Sequence, residues 1–151
     1  MIKPKYYTIV SGQGRSKYEL VAFDKALLDA GIGDYNLVKV SSIMPASCTF
    51  REEIDLEKGS VIFVAYACKT VCNEESGSTA VAIAIPNCDN ENGVIFEASS
   101  NGNNAEDIVQ EMCKDAMISR GRETKEIITS SITLKGCCQQ YTCGVSAVVM
   151  W

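Results

Sequence analysis

The sequence predicts an α+β fold, a layered αββα sandwich with central, mainly antiparallel sheets and outer helices. Two observations carry this. Apolar, β-branched segments follow one another between short turns, as strands do. Only two segments repeat their apolar residues every three or four positions, as helices do. Runs of strands punctuated by two helices favour sheets in the middle and helices outside. The length, 151 residues, suits one domain with a sizeable core, and no repeat, low-complexity tract or linker divides it. With 46% hydrophobic and 22% charged residues, the chain lies in the globular class rather than the disordered one.

Each element has its own signal. Residues 6–10, Tyr-Tyr-Thr-Ile-Val, read as a strand. The polar stretch Ser11-Gly12-Gln13-Gly14-Arg15-Ser16 reads as a turn, since it lacks the third glycine and the Gly-Lys-Ser/Thr ending of a phosphate loop. Residues 17–30 read as a helix: Leu20, Phe23, Ala26, Leu27 and Ala30 share a face, and Ser16 with Glu19 matches a capping box. Gly31 and Gly33 stop it. Residues 35–41, 59–68, 79–85 and 94–99 read as strands, with Pro86 ending the third of these and a turn over 87–93. Residues 104–119 form the second helix, with Ile108, Val109, Met112, Cys113, Ala116 and Met117 on one face. Residues 125–134 and 141–151 close the fold as strands.

Composition removes several functions. The net charge is −5 and the basic residues are scattered, whereas phosphate backbones require clustered Lys and Arg. There is no histidine. That excludes Ser-His-Asp and Cys-His catalysis and histidine metal ligands, so any general acid is a carboxylate, Lys, Tyr or Cys. The eight cysteines contain no Cys-x-x-Cys knuckle and read first as reduced, partly buried thiols. No apolar run is long enough to span a bilayer, and the N-terminus does not read as a signal peptide. A cytoplasmic protein is expected.

Three features stand out against this background. Val40-Ser41-Ser42-Ile43-Met44-Pro45 places a serine pair at the end of a strand. Asp24 interrupts an apolar helical segment. Glu97 follows Gly93-Val94-Ile95-Phe96 directly. Taken singly, each also fits a plain role: a turn cap, a solvated helix carboxylate, a strand end.

Longer stretches give these residues a context. One runs Ala22-Phe23-Asp24-Lys25-Ala26-Leu27-Leu28-Asp29-Ala30-Gly31-Ile32-Gly33 and continues as Asn36-Leu37-Val38-Lys39-Val40-Ser41-Ser42-Ile43-Met44-Pro45. Ala84-Ile85-Pro86, the segment ending in Glu97, and Cys143-Gly144-Val145-Ser146-Ala147 through Trp151 complete the pattern. On these residues the chain resembles the pyruvoyl-dependent arginine decarboxylase family, from the first helix to the final tryptophan.

The resemblance implies a proenzyme that cuts itself between Ser41 and Ser42, into a 1–41 β chain and a 42–151 α chain. The Ser42 hydroxyl would attack the Ser41 carbonyl, turning the amide into an ester. Elimination would leave dehydroalanine, which hydrolyses to a covalent pyruvoyl cofactor. Asn36 matches the asparagine associated with processing, where its amide could bond the developing oxyanion. Arginine would join the pyruvoyl ketone as a Schiff base and lose carbon dioxide to give agmatine. Glu97 would then protonate the α-carbon. Asp24 would bind the guanidinium through two parallel hydrogen bonds, Leu20 and Leu27 would line the path of the methylenes, and Ser41 would hold the substrate carboxylate. A homotrimer, or a multiple of it, with sites between subunits is implied, with no nucleic-acid or membrane partner. Tyr35, where a smaller aliphatic residue is expected, would narrow the pocket. The alternatives are the same chemistry on histidine or ornithine, a cysteine-rich metal-binding or redox protein, and a proenzyme that never matures.

Overall fold

The structure, a computed structural model, describes residues 2–151. Strand β1 covers Tyr6–Ser16, helix α1 Glu19–Asp29, β2 Asn36–Lys39, β3 Ile43–Met44, β4 Thr49–Phe50, β5 Val61–Cys72, β6 Ser76–Pro86, β7 Gly93–Ser100, α2 Ala105–Ser119, β8 Thr124–Lys135 and β9 Tyr141–Met150. Five strands form one sheet in the order β2-β5-β9-β1-β4, and four form the other in the order β3-β7-β6-β8. All pairings are antiparallel except β1 with β4 and β2 with β5. The expected αββα layering is what the chain adopts.

Alternation along the strands divides the core into three layers. Cys143, Val145, Ala147 and Val149 of β9 face α1, where they meet Ala22, Ala26 and Ala30. Val148 and Met150 face the other way, against Val81, Ile83 and Ile95 of the second sheet. The outer face of that sheet packs Ala80, Ala82, Ala84 and Val94 on Val109, Cys113 and Met117 of α2. Both faces of β9 are covered, and only Tyr141 of the strand is exposed. The α2 face is narrower than the periodicity suggests, since Met112 is 41% exposed.

Two local expectations fail for one reason. Residues 11–16 are not a turn; they continue β1, paired with β9 from Ser11↔Ser146 to Ser16↔Tyr141. The glycines that suggest a turn serve helix–sheet contact instead. A β-carbon on Gly12 or Gly14 would strike the α1 backbone at Ala30, Ala26 or Ala22. Ser16 therefore lies in the strand, and it does not cap the helix. Tyr18 is the N-cap residue, without a side-chain cap bond, and its N–H donates to the Ser16 hydroxyl at 3.2 Å. Gly14→Val should accordingly force α1 off the sheet. Overpacking of this kind costs about 1–3 kcal/mol, which lowers Tm by roughly 3–10 °C in a domain of this size. A thermal melt followed by circular dichroism measures it, and an unchanged Tm would show that the helix has room.

The space between the sheets also holds a hydroxyl chain. Ser11 of β1 bonds Ser130 of β8 (2.7 Å) and Ser146 of β9 (2.8 Å), and Thr79 of β6 joins Ser146 at 2.8 Å. These partners satisfy polar groups in an otherwise apolar layer. No helix among the described residues is long and apolar enough to cross a membrane.

Candidate active site

The serine pair lies where the chain changes sheets. Strand β2 belongs to the five-stranded sheet, and its ladder ends with the Val40 N–H donating to the Val64 carbonyl at 2.9 Å. Strand β3 belongs to the four-stranded sheet, with Ile43 opposite Val94 and Met44 opposite Gly93. Ser41 and Ser42 are the crossover between them. The segment is held on both sides. The Ile95 N–H donates to the Ser42 carbonyl at 2.8 Å, and the Ile43 N–H donates to the Ser41 carbonyl at 3.1 Å. The second bond closes a γ-turn centred on Ser42. Ser41 is exposed and Ser42 half-buried. A groove of about 250 Å³ opens beside them, lined by Val40, Ser41, Ile43, Pro45, Phe63 and Met150 among others.

Strand β7 brings the carboxylate. Extending the β3–β7 register by one residue sets Ser42 opposite Ile95. Residues opposite one another share a face of the sheet, as do residues two apart on a strand. Ser42, Ile95 and Glu97 therefore lie on one face, with Glu97 about 7 Å along the strand from Ile95. The Glu97 side chain is 26% exposed, and its Oε1 stands 3.8 Å from the Lys39 ammonium.

The other expected residues are distributed differently. Asn36 opens β2, and its amide donates to the Gly59 carbonyl at 2.7 Å. Val40 lies four residues further on, about 13 Å along the extended chain. Within one protomer the structure does not bring it to the bond between Ser41 and Ser42; the donor on the Ser41 carbonyl is the Ile43 N–H. Asp24 is exposed on α1 and makes no side-chain hydrogen bond or ion pair among the described residues. Leu20, 78% exposed, lines a separate groove of about 500 Å³ with Phe23, Tyr66 and Cys68. Leu27 packs beneath the helix against the first core layer. Tyr35 does not narrow the serine groove. It is buried under α1, with its hydroxyl donating to the Leu56 carbonyl at 3.2 Å.

Three contributors have no counterpart in the sequence reading: Ile95, Lys39 and Tyr66. Ile95 acts through its backbone, which leaves no sequence signal. Lys39 is the one charged residue in β2, a weak signal in retrospect. The cysteines, by contrast, behave as core and surface thiols. Burial pushes Cys48 and Cys113 up to about 11, so both are protonated near neutral pH and poor ligands. Among the described residues no group of three Cys, Asp or Glu is placed to hold a metal ion.

The structure thus sets a serine pair in the crossover between the two sheets, with a carboxylate on the adjoining strand. Comparison with known proteins gives the chain its family. The family described as pyruvoyl-dependent arginine decarboxylase matches residues 6–151. The chain is 38% identical over 151 residues to the pyruvoyl-dependent arginine decarboxylase of Methanococcus aeolicus, covering 98% of this chain and 90% of the relative. It is 40% identical over 126 residues to that of Methanothermobacter thermautotrophicus, covering 80% of each. It is 33% identical over 159 residues to that of Pyrococcus horikoshii, covering 99% and 97%. The chain belongs to the pyruvoyl-dependent arginine decarboxylase family.

Proposed function

We propose that this protein decarboxylates L-arginine to agmatine and carbon dioxide, using a pyruvoyl group made from Ser42 by cleavage between Ser41 and Ser42. The observation that carries the proposal is the anchoring of Ser42. Its carbonyl is held by the Ile95 N–H, two residues before Glu97, where the chain passes between sheets. The fit is good because the group would form from a residue already tied down. Cutting the chain there leaves both ends held, residue 40 by Val64 and residue 42 by Ile95.

The pyruvoyl group supplies the electron sink that decarboxylation needs and that no standard side chain offers. The protein's own residues do the rest. Ile95 fixes the carbonyl of residue 42. Glu97 carries the proton delivered to the α-carbon once carbon dioxide has left, and its partial exposure allows recharging from solvent. Asp24, a carboxylate without a hydrogen-bond or ion-pair partner among the described residues, accepts the guanidinium. Leu20 lies one turn before it on the same helix and lines the methylenes, with Leu27 supporting the helix from below. Ser41 becomes a new chain end beside the groove and meets the substrate carboxylate. Incubation with arginine, ornithine and histidine in parallel tests this. Agmatine and carbon dioxide from arginine, well ahead of the others, support the reading, and preference for another amino acid changes the substrate.

The Asp24 assignment has its own test. Asp24→Asn keeps the shape and removes the charge. A charged hydrogen bond contributes about 1.5–3 kcal/mol, so kcat/KM for arginine should fall roughly tenfold to a hundredfold. Self-cleavage should persist, and the neutral analogue citrulline should suffer much less. Equal losses for both substrates would make Asp24 structural.

We also propose that the sites are completed between copies of the chain, in a homotrimer or a multiple of it. Tyr18, Leu20, Val21 and Leu28 are all exposed on or beside α1, an apolar patch that a second copy would cover. Light scattering on the purified protein gives the stoichiometry. The cytoplasm is the proposed compartment, where eight free thiols fit a reducing environment.

A further inference from the structure

The chain has 14 basic and 19 acidic residues, yet among the described residues one ion pair forms, between Lys39 and Glu97. It joins the strand leading into the serine crossover to the carboxylate on the adjoining sheet. Exposed ion pairs add little to stability, and Lys39 is 57% exposed. Fold stability is therefore a weak reason for the arrangement.

The ammonium is seated by more than the carboxylate. It lies 4.8 Å from the centre of the Tyr66 ring and donates to the Tyr66 carbonyl at 3.4 Å. That carbonyl is available because β2 departs. Along β5, the carbonyls of Val64 and Tyr66 face the same edge. The first receives the Val40 N–H, after which the chain leaves for the other sheet. Lys39 reaches forward over the gap and occupies the next position. The Tyr66 ring is in turn backed by Phe23 of α1, with ring centres 6.2 Å apart. An ammonium has three donors, and here they face a carbonyl, a ring and a carboxylate.

We propose that Lys39 is a positioning residue for Glu97. Seated on Tyr66, it holds the carboxyl over the face that carries Ser42. The inference rests on Glu97 being the proton donor proposed above. After cleavage Lys39 belongs to the 1–41 chain and Glu97 to the 42–151 chain, so the contact ties the end of one product to the acid of the other.

The test is a double-mutant cycle on the processed enzyme. Lys39→Met should lower kcat for arginine by on the order of tenfold, the scale of a misplaced catalytic group, with KM little changed. Lys39→Arg should restore most of kcat, because it keeps a cation on the Tyr66 ring. In a Glu97→Gln background, Lys39→Met should cost nothing further, since contacting residues that act as one are non-additive. Equal losses in both backgrounds would overturn the proposal. So would a raised KM with unchanged kcat, which would make Lys39 a substrate-binding residue. If Lys39→Met does not mature, Lys39→Gln, which keeps a polar donor toward the Tyr66 carbonyl and removes the charge, takes its place and should also lower kcat with KM unchanged. Failure of both variants to cleave would place Lys39 in processing and refute the positioning role. Glu97→Gln alone reports on the underlying reading: if it keeps turnover, the acid assignment fails whatever Lys39 does.

Discussion

Ser42→Ala should leave the chain at full length, folded and without decarboxylase activity. The hydroxyl is the one group at the crossover that can attack the Ser41 carbonyl, and alanine also lacks the leaving oxygen that elimination requires. The substitution should be structurally quiet. The Ser42 side chain makes no hydrogen bond among the described residues, and what anchors the segment is backbone: Ile95 to the Ser42 carbonyl, and Ile43 to the Ser41 carbonyl. Alanine keeps both. Surface and half-buried changes of this kind stay within about ±0.5 kcal/mol, so the melting curve should nearly overlay that of the parent. Intact-mass spectrometry reads the outcome. The parent should give two fragments, the larger starting at residue 42 and refusing Edman chemistry, because a pyruvoyl end has no amine. One uncut mass should come from the variant. Cleavage of Ser42→Ala at the same bond would show that the nucleophile lies elsewhere.

The parts of the fold that were legible are those with length and period. The two helices and the six long strands all appear, because eight or more residues of alternating or helical pattern leave few other solutions; β2, four residues long, is also expected. Strands β3 and β4 have two residues each and no pattern to read. The polar half of β1 has the composition of a turn because glycine serves both a turn and a close approach, and only the position of α1 decides between them. At the site, Ser41, Ser42 and Glu97 were visible as types in a recognisable order. Their support was not. The Ile95 N–H belongs to a residue whose side chain says only that it is buried. The Tyr66 carbonyl matters because β2 leaves its edge, a property of topology. Asn36 and Leu27 show the reverse. Both fit a linear motif, yet in the protomer one bonds Gly59 and the other packs into the core.

Glu97→Gln should separate processing from catalysis. The side chain lies on β7 beyond Ile95, and the bond that holds Ser42 is made by the Ile95 backbone, so cleavage between Ser41 and Ser42 should proceed. Glutamine is nearly isosteric, and Lys39 keeps its Tyr66 carbonyl and ring, so the fold should be preserved. On the role proposed for Glu97, what is lost is the proton donor. An amide cannot supply a proton to the α-carbon after carbon dioxide has left, and with no histidine in the chain no imidazole stands in for it. Loss of a general acid is worth about 10²–10⁴ in rate, and the fall should appear in kcat, since glutamine leaves the guanidinium and carboxylate contacts alone. Steady-state agmatine formation by the fully processed variant gives the number. A second measurement sharpens it: with the acid missing, the enzyme should lose activity in fewer turnovers than the parent, as progress curves would record. Near-normal kcat in a fully cleaved Glu97→Gln enzyme would remove Glu97 from the chemistry, and would leave the serine crossover as the site's one assigned component on this face.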